Sequence, residues 1–347
     1  MRVADMHCDT ISRLKRCRED GRAENLRENS GHVDLNRLAR SGCVAQNFAL
    51  FVNQGTCADP WEEVLALLAL YEEELEKNAD RIRAAKCCRD LGENEKTGRL
   101  SSLLTVEEGG VCKGEPGKLG FLYEKGVRML TLTWNYPNEL GAPNLCSGKG
   151  REVRERYRGS SMEADRALKA YLNTPDTQNG LTEKGIEFVA RMEALGMIVD
   201  VSHLSDKGFY DVLAHSRKPF VASHSNARAV CPCVRNLTDD MIRKLSERGG
   251  VMGLNFCADF LAQKPAGEPN PGKLKDVAAH AKHIVNVGGI GCLGLGGDFD
   301  GIDTNEELPG VEKLGLLWET LETEGFLPSQ IERIFSENVL RLYREVL

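Results

Sequence analysis

Long hydrophobic runs are missing from this 347-residue sequence, and no stretch approaches the roughly 18 to 20 apolar residues that a membrane-spanning helix needs. A secretory leader is missing as well. The N-terminus has no basic start followed by an apolar run and a small-residue cleavage site, and strand-like sequence begins within three residues of Met1. From these absences we expect a cytoplasmic protein that has no membrane partner.

The sequence also lacks an excess of positive charge. It has 45 Lys and Arg residues against 52 Asp and Glu residues, which gives a formal net charge of −7. Because binding to phosphate backbones needs a basic surface, this balance argues against a nucleic-acid partner. One basic run extends from Arg151 to Arg158, but Glu152 and Glu155 interrupt it, so we expect a solvated loop there.

Paired cysteines of the CxxC type are absent, although the chain has twelve cysteines. The closest spacings are Cys87-Cys88 and Cys231-Pro232-Cys233. The length of the chain and a reducing compartment both argue against a disulfide framework. We therefore expect most cysteines to be small buried hydrophobic residues, with a structural zinc site at Cys231 and Cys233 as the alternative.

Eight short apolar runs alternate with longer amphipathic stretches. The runs are RVADMH, CVAQNFALFV, LSSLLTVE, VRMLTLTW, MIVDVSH, PFVASHS, GVMGLNF and GCLGLGGDFD. Eight buried strands that alternate with helices predict an α/β fold, a (β/α)8 TIM barrel, over residues 1–347 as a single domain. An open doubly wound sheet would more often carry a glycine-rich phosphate loop after its first strand, where this sequence has His-Cys-Asp-Thr.

The helical pattern is strong in several of the intervening stretches. One helix is expected from Asp59 to about Lys86, and another has Thr182 as its N-cap and Gly196 as its C-cap. The least regular segment, 135–180, is rich in Gly, Pro, Asn and Arg and follows the fourth predicted strand. We expect a long loop there, on the catalytic face, as a candidate lid. Further helices are expected from Ser205, from Thr238, from Gly272 and at two places near the C-terminus.

Polar residues end most of the predicted strands, which is where a barrel places its active site. These residues are His7 and Asp9, Glu107 and Glu108, His203, His224, Asp298 and Asp300. Three of the seven histidines in the chain fall at these ends. Two histidines, an HxD pair and a carboxylate suit zinc. Five ligands, one of them a carboxylate that can bridge, predict two metal ions, and Asp298 is a candidate for proton transfer.

Strand geometry ranks some of these side chains and leaves others open. Because side chains alternate between faces, His7 and Asp9 share one face, and Asp5 lies one layer deeper on it, where it would orient the ligands. Only one of Glu107 and Glu108 can point inward, and alternation alone does not say which. Asp300 is either part of the site or a turn or capping residue. The other histidines are expected to be structural, namely His32, His215, His280 and His283.

Several motifs carry a resemblance that extends over nearly the whole chain. They are DMHCDT, TVEEGG, VRMLTLTW, GLTEKGIEFVARMEALGMIVDVSH, PFVASHSNARAVCPCVRNLTDD and GLGGDFDGI. In this order they resemble the renal (membrane) dipeptidase family of zinc peptidases, which belongs to the amidohydrolase-like barrels. The resemblance implies two zinc ions per chain and a homodimer.

The resemblance also assigns roles to individual residues. It implies one ion held by His7, Asp9 and a bridging Glu107, and a second ion held by Glu107, His203 and His224. Glu107 is favoured because the family's glutamate directly follows the apolar end of its strand. It further implies that Arg235 grips the terminal carboxylate of the substrate and that Asp298 transfers a proton.

The activity implied is that of a zinc-dependent dipeptidase. A metal-bridging hydroxide attacks the peptide carbonyl, and the family's tolerance of a D-residue at the C-terminal position makes L,D-dipeptides candidate substrates. An alternative is a related amidohydrolase that acts on N-acyl amino acids, lactones or cyclic amides. A metal-loaded but catalytically idle binding protein is the rival from another class, and the complete set of predicted ligands argues against it.

One position departs from the family. Where its best-known members have a histidine that contacts the scissile carbonyl side of the substrate, this sequence has Trp134. Tryptophan offers one N–H donor and a flat apolar wall, and it cannot exchange protons. We therefore expect Trp134 to line the substrate site, and substrate choice and efficiency to differ from those of the best-known members.

Overall fold

The chain is described here by a computed structural model that covers residues 1–156, 161–263 and 272–347. Arg158, the last arginine of the basic run, lies outside these residues. The strands are β1 (Val3–Asp5), β2 (Cys43–Phe51), β3 (Ile82–Ala84), β4 (Leu100–Glu107), β5 (Val127–Thr131), β6 (Ile198–Asp200), β7 (Val221–Ala222), β8 (Val251–Leu254) and β9 (Leu293–Leu295).

The helices surround the strands and come between them in the chain. The first seven are α1 (Thr10–Glu19), α2 (Leu35–Arg40), α3 (Pro60–Lys77), α4 (Cys88–Lys96), α5 (Pro116–Lys125), α6 (Ser147–Arg156) and α7 (Ser161–Leu172). The others are α8 (Glu183–Leu195), α9 (Asp206–His215), α10 (Asp239–Glu247), α11 (Ala258–Leu261), α12 (Leu274–Gly288), α13 (Leu314–Thr323), α14 (Pro328–Glu332) and α15 (Asn338–Val346).

The strands form a closed parallel sheet. Each of the eight predicted runs contributes one strand, and the order β2-β1-β9-β8-β7-β6-β5-β4 is closed by the pairing of β4 with β2. That pairing runs in register from Ala45 opposite Ser101 to Phe51 opposite Glu107. The predicted (β/α)8 TIM barrel is therefore confirmed, and the carboxyl ends of its strands converge on one rim.

A ninth strand, β3, was not predicted. The helix expected to reach Lys86 ends at Lys77, where Asn78 donates its side-chain Nδ2 to the carbonyl of Glu74. The chain then forms β3, which pairs with the first three residues of β4, whereas β5 pairs with β4 only from Leu104 onward. Three residues within a polar stretch give too short a pattern for a strand to be recognised.

The segment 135–180, predicted to be one long loop, contains two helices. These are α6 and α7, and the prediction of a solvated loop for the basic run was wrong for its residues 151–156, which belong to α6. Arg and Glu both have high helix propensity, which outweighs the nearby glycines. The end of α7 is attached to the loop after β7, because the carbonyl of Leu172 accepts from the backbone N–H of Val234.

The caps predicted for the helix after this segment are present. The hydroxyl of Thr182 accepts from the backbone N–H of Gly185 at 3.0 Å and begins α8. Gly196 ends the helix with φ +76°, a conformation that glycine adopts without a steric penalty.

The interior is apolar at the opposite rim of the barrel, where α15 closes it. Tyr343 is fully buried there and donates its hydroxyl to Asn47 Oδ1 at 2.7 Å. Helix α14 leads into α15 through a π-helical turn at Arg333–Glu337. The apolar side chains that meet in this layer include Ala4, Met6, Ile198, Val251, Val339 and Leu342.

Two expectations from composition can be compared with the structure. Across the described ranges, no helix combines the length and the apolar character needed to cross a bilayer. All twelve cysteines are free thiols. Cys231 and Cys233 are buried, and within the described part of the chain no cysteine belongs to a group of side chains arranged to hold a metal ion.

Candidate active site

Glu107 lies at the centre of a buried cluster at the carboxyl rim of the barrel. It is the last residue of β4, and its two carboxylate oxygens face opposite sides of the cluster. Oε2 is 3.2 Å from His7 Nε2, while Oε1 is 3.0 Å from His203 Nε2 and 3.7 Å from His224 Nε2. The Nε2 atoms of His203 and His224 lie 3.0 Å apart. One carboxylate thus connects histidines from three different strand ends.

Two further carboxylates complete the cluster on the side of His7. Asp9 Oδ1 is 3.9 Å and Asp298 Oδ1 is 3.8 Å from His7 Nε2. The other oxygen of Asp298 accepts from Asn255 Nδ2 at 2.9 Å, which orients the group. The structure therefore brings together all six residues predicted as metal ligands or as the proton-transfer group.

The cluster has the properties of a cation site. Both ring nitrogens of His7 and the Oδ1 atom of Asp9 are buried and have no hydrogen-bond partner within the described ranges. Such atoms are costly to bury unless something binds them. Three carboxylates and three imidazoles offer ligands of the type that zinc prefers, and the two faces of Glu107 suit two ions. Residues and metal therefore fit.

The charges in the cluster are uneven. Burial works to lower the pKa of His7, but the carboxylates of Glu107, Asp9 and Asp298 together outweigh it, and the pKa is raised to about 10. On the other side, burial lowers the pKa of His203 to about 4, and burial together with the charge of His7 lowers the pKa of His224 well below its usual value. The side with Asp9 attracts positive charge, whereas the other side consists of neutral imidazoles with lone pairs to share.

The backbone is strained at three positions in or beside this cluster. Non-glycine residues with positive φ include Glu108 at +104°, His203 at +68° and Asp298 at +58°. Such conformations are uncommon outside glycine and concentrate at functional sites.

The turn at Glu108 separates the two neighbouring glutamates. Its carboxylate accepts from the backbone N–H groups of Gly110 and Trp134 at 2.7 and 3.0 Å, and from the side chain of Asn138. Burial raises the pKa of Glu108 to about 7. The structure thus directs Glu107 into the cluster and Glu108 into the loop after β5.

Asp5 and Asp300 support the backbone around the cluster. Asp5 accepts from the backbone N–H groups of His7 and Gly297 at 2.9 and 3.0 Å, so it holds the main chain and not the imidazole. Asp300 accepts from the Thr10 hydroxyl at 2.7 Å and from the backbone N–H of His32 at 2.7 Å. These bonds attach the loop before α2 to the rim.

Arg235 is buried beside the cluster. Its Nη2 donates to the carbonyl of His224 at 3.4 Å, and its guanidinium lies 5.4 Å from the ring centre of Phe260. Its Nε has no partner among the described residues. Burial lowers the pKa of Arg235. A buried cation with an unused donor is suited to bind an anion.

A bidentate ion pair fixes the loop that carries Arg235. Arg228 donates to both carboxylate oxygens of Asp206 at 2.7 and 2.8 Å. The side chain of Asn144 joins Asp206 to the carbonyl of Val234, the residue directly before Arg235.

Trp134 lies at the edge of the cluster, half-buried. Its ring is 6.2 Å from that of His203 and packs edge to face on Phe51 at 4.9 Å, with Tyr136 at 5.9 Å. Among the described residues its indole N–H has no acceptor. It therefore presents an aromatic wall next to the imidazoles.

The sequence analysis missed several residues behind the cluster. Asp200 and Ser223 lie behind His224, the side-chain amide of Asn135 is 2.9 Å from Nδ1 of His203, and Asn255 orients Asp298. A signal was present, because both strand-end histidines of the second half directly follow a serine, in DVSH and in VASH. The seventh predicted run, GVMGLNF, was one of those without an assigned polar residue, and Asn255 fills that place.

The remaining histidines lie outside the cluster. His280 accepts from the backbone N–H of Ala227 and donates to the carbonyl of Leu261, and His283 pairs with Asp239. His215 is in the last turn of α9.

Comparison with known proteins agrees with this geometry. The family model "Membrane dipeptidase (Peptidase family M19)" matches residues 1–347. The chain is 32% identical over 288 residues to an uncharacterized protein in the pqqA 5' region of Klebsiella pneumoniae, covering 83% of this chain and 97% of that one. It is 27% identical over 341 residues to the dipeptidase tcpJ of Claviceps purpurea, covering 94% and 72%.

Two solved structures share the fold over the whole chain. One is the dipeptidase AC, a metallopeptidase of family M19, with a TM-score of 0.86 and 26% identity, covering 100% of this chain and 98% of that one. The other is a metallopeptidase from Rhodobacter sphaeroides liganded with a phosphinate mimic of the dipeptide L-Ala-D-Ala, with a TM-score of 0.85, 25% identity and coverage of 100% and 99%. The full-length family match and the shared barrel show that the chain belongs to the membrane dipeptidase family, peptidase family M19.

Proposed function

We propose that this protein is a zinc-dependent dipeptidase that hydrolyses the peptide bond of dipeptides, including those with a C-terminal D-residue. The observation that carries the proposal is the bridging position of Glu107 between His7 and the pair His203 and His224, next to the buried Arg235. The D-residue follows from the ligand of the Rhodobacter sphaeroides relative, a mimic of L-Ala-D-Ala.

Two zinc ions per chain fit the cluster. One would be held by His7, Asp9 and Glu107, and the other by Glu107, His203 and His224, as two ligand sets that share one carboxylate. When bound, zinc supplies Lewis-acid activation of the scissile carbonyl and of the attacking water.

Asp298 moves the proton in the proposed mechanism. Burial raises its pKa to about 6, close to the value at which a carboxyl group can both accept and release a proton at neutral pH. It takes a proton from the water that adds to the carbonyl carbon and delivers it to the departing amine when the C–N bond breaks. Asn255 keeps its second oxygen occupied, so that Oδ1 is the atom that carries the proton.

Arg235 binds the C-terminal carboxylate of the substrate. A guanidinium fork matches the two oxygens of a carboxylate, and burial strengthens the interaction by excluding water. Fixing the C-terminus close to the metal cluster limits the substrate to about two residues because the scissile bond must lie over the ions.

Trp134 contributes an aromatic wall beside His203. This wall is the observation that favours the second candidate, an amidohydrolase of N-acyl amino acids, lactones or cyclic amides, because an aromatic surface also suits an acyl group. Dipeptides and N-acyl amino acids present the same carboxylate to Arg235, so a parallel panel of both classes separates the two functions.

Metal removal tests the proposal directly. We expect about two zinc ions per chain by elemental analysis, dipeptide hydrolysis that disappears after chelation, and recovery when zinc is returned. Glu107→Gln should lose both bound metal and activity, since it removes the shared carboxylate. The matched control is Glu108→Gln, one residue away and directed into a loop, which should keep its metal. A metal-free protein that still hydrolyses dipeptides would contradict the mechanism.

The role of Arg235 has its own test. Hydrogen bonds to charged groups contribute about 1.5 to 3 kcal/mol, so Arg235→Ala should raise KM for a dipeptide roughly 10- to 150-fold. The same variant should act on the C-terminal amide of that dipeptide as poorly as the wild type does. Arg243→Ala, which changes a half-exposed arginine of α10, serves as the control. Equal losses on acid and amide would rule out the assigned contact.

The cytoplasm is the proposed location, and the twelve free thiols support it because a reducing compartment keeps cysteines unpaired. A homodimer is proposed from family resemblance alone, and light scattering of the purified protein would test it.

A further inference from the structure

A chain of hydrogen bonds leads away from His224 on the side opposite the metal cluster. Its Nδ1 atom is 2.8 Å from the hydroxyl of Ser223, and that hydroxyl donates to Asp200 Oδ2 at 2.6 Å. All three residues are buried, with 0% exposure for each. Asp200 is the last residue of β6, and Ser223 follows β7 directly.

Among the residues that the structure describes, every partner of Asp200 is a donor. Its Oδ1 atom accepts from the backbone N–H groups of Ser202 and Ser223 at 3.0 and 2.9 Å. Its Oδ2 atom accepts from the hydroxyls of Ser223 and Thr131 at 2.6 and 2.7 Å. A carboxylate surrounded in this way acts only as an acceptor.

These directions determine where the proton of His224 lies. The hydroxyl of Ser223 has one hydrogen, and it donates this hydrogen to Asp200 in a hydrogen bond. Toward His224 the same oxygen can then only accept, so Nδ1 must carry a hydrogen. A neutral imidazole has one N–H, which leaves the lone pair on Nε2, the atom that faces Glu107 and His203.

We infer that Asp200 and Ser223 are positioning residues that hold His224 in the Nδ1–H form and so present its Nε2 lone pair to a metal ion. The inference rests on the proposed function for the identity of the ion, but not for the proton arrangement. His203 differs, because its Nδ1 meets the side-chain amide of Asn135, and an amide can rotate to offer either its oxygen or its NH₂ group. A carboxylate has no donor to offer, so of these two neighbouring histidines His224 is the one whose form is imposed.

The substitution Asp200→Asn reverses the chain with little change of shape. The backbone N–H groups of Ser202 and Ser223 require an acceptor, so the amide oxygen takes the Oδ1 position and the NH₂ group takes the place of Oδ2. The Ser223 hydroxyl then accepts from this NH₂ group and donates its own proton to His224 Nδ1. The remaining imidazole hydrogen moves to Nε2, where the metal should bind.

The experiment reads the proton directly in metal-free protein. With ¹⁵N-labelled histidine at a pH of about 8, where neutral imidazole predominates, ring-nitrogen shifts distinguish the two forms, and the signals lost in His224→Asn identify the residue. We expect Nδ1–H in the wild type and Nε2–H in Asp200→Asn. Zinc titration should then show affinity at one of the two sites lowered about 10- to 100-fold in the variant.

The control is Thr131→Val, which removes the other hydroxyl on the same carboxylate oxygen without touching His224. It should keep Nδ1–H and both zinc ions, so a general disturbance of the barrel is distinguished from reversal of the chain. If Asp200→Asn keeps Nδ1–H and full zinc affinity, the inference is overturned. If the wild type has Nδ1–H but binds no zinc, the proposed function fails while the positioning role of Asp200 and Ser223 stands.

Discussion

Neighbouring residues in this site have opposite roles, and the backbone decides which role each one takes. Glu107 ends β4 in extended conformation and points into the cluster, whereas Glu108 adopts φ +104° and turns its carboxylate to the backbone of Trp134. The strain of that turn is balanced by the buried hydrogen bonds that Glu108 accepts. A single residue step thus separates a predicted metal ligand from a group that holds a loop.

At the scale of single residues, Trp134 yields a prediction on substrate binding. If its flat face contacts the substrate, Trp134→Phe should change KM less than about twofold, because the wall remains. Trp134→Ala should raise KM roughly tenfold, the loss expected when about 50 Å² of apolar contact is removed. Steady-state kinetics on a dipeptide with an apolar N-terminal residue would measure both.

The phenylalanine variant separates the two possible contributions of the indole. A loss in Trp134→Phe as large as in Trp134→Ala would mean that the free N–H, and not the ring face, contacts the substrate. A fall in kcat at unchanged KM would then identify the N–H as a donor to the transition state.

Helices and strands differ in how well their patterns could be predicted. Helix α8 has a polar N-cap, an amphipathic body and a terminal glycine, so both of its ends were predicted from the sequence. Strand β3 has three residues and no caps, and the helices α6 and α7 begin among glycines and charged residues. The equally short β1, β6 and β9 were predicted because they lie within longer apolar runs, whereas β3 lies among charged residues.

The cap of α8 provides a stability prediction at this scale. Thr182→Ala removes the acceptor for the Gly185 N–H and should lower the free energy of unfolding by about 1 kcal/mol. Thr182→Ser keeps the hydroxyl and should stay close to the wild type. Urea unfolding followed by circular dichroism compares the two, and equal stability of the alanine and serine variants would contradict the capping role.

Over the whole molecule, the barrel turns separations of many residues into contacts of a few ångströms. His7 and Asp298 are far apart in the chain, yet Nε2 of His7 lies 3.8 Å from Oδ1 of Asp298. Sequence alone predicts that these side chains share one rim, because the parallel strands of a barrel share a carboxyl edge. Sequence alone does not predict the roles of Asp200 and Asn255, because these roles depend on hydrogen bonds to atoms of other strands and loops.

The apolar layer that α15 closes at the lower end of the barrel, here called the floor, gives a prediction for the molecule as a whole. Tyr343→Phe leaves Asn47 Oδ1 buried without its donor and should lower the free energy of unfolding by about 1 to 3 kcal/mol. Tyr210→Phe removes a comparable hydrogen bond, from the hydroxyl of an exposed tyrosine to Asp240. This change should alter the free energy of unfolding by less than about 0.5 kcal/mol. Urea midpoints at unchanged slope would measure the difference, and equal shifts would contradict a structural role for the floor.

That floor also has a consequence for synthesis. Helix α15 follows every strand in the chain, so all the strands of the barrel leave the ribosome before the helix that covers its lower end. Until then the apolar layer around Met6 and Val251 has no cover, although the metal-binding rim is already encoded. Chaperones that shield exposed apolar surface should therefore engage this protein after its last strand has emerged and before α15 has, at the lower end of the barrel and away from its catalytic rim.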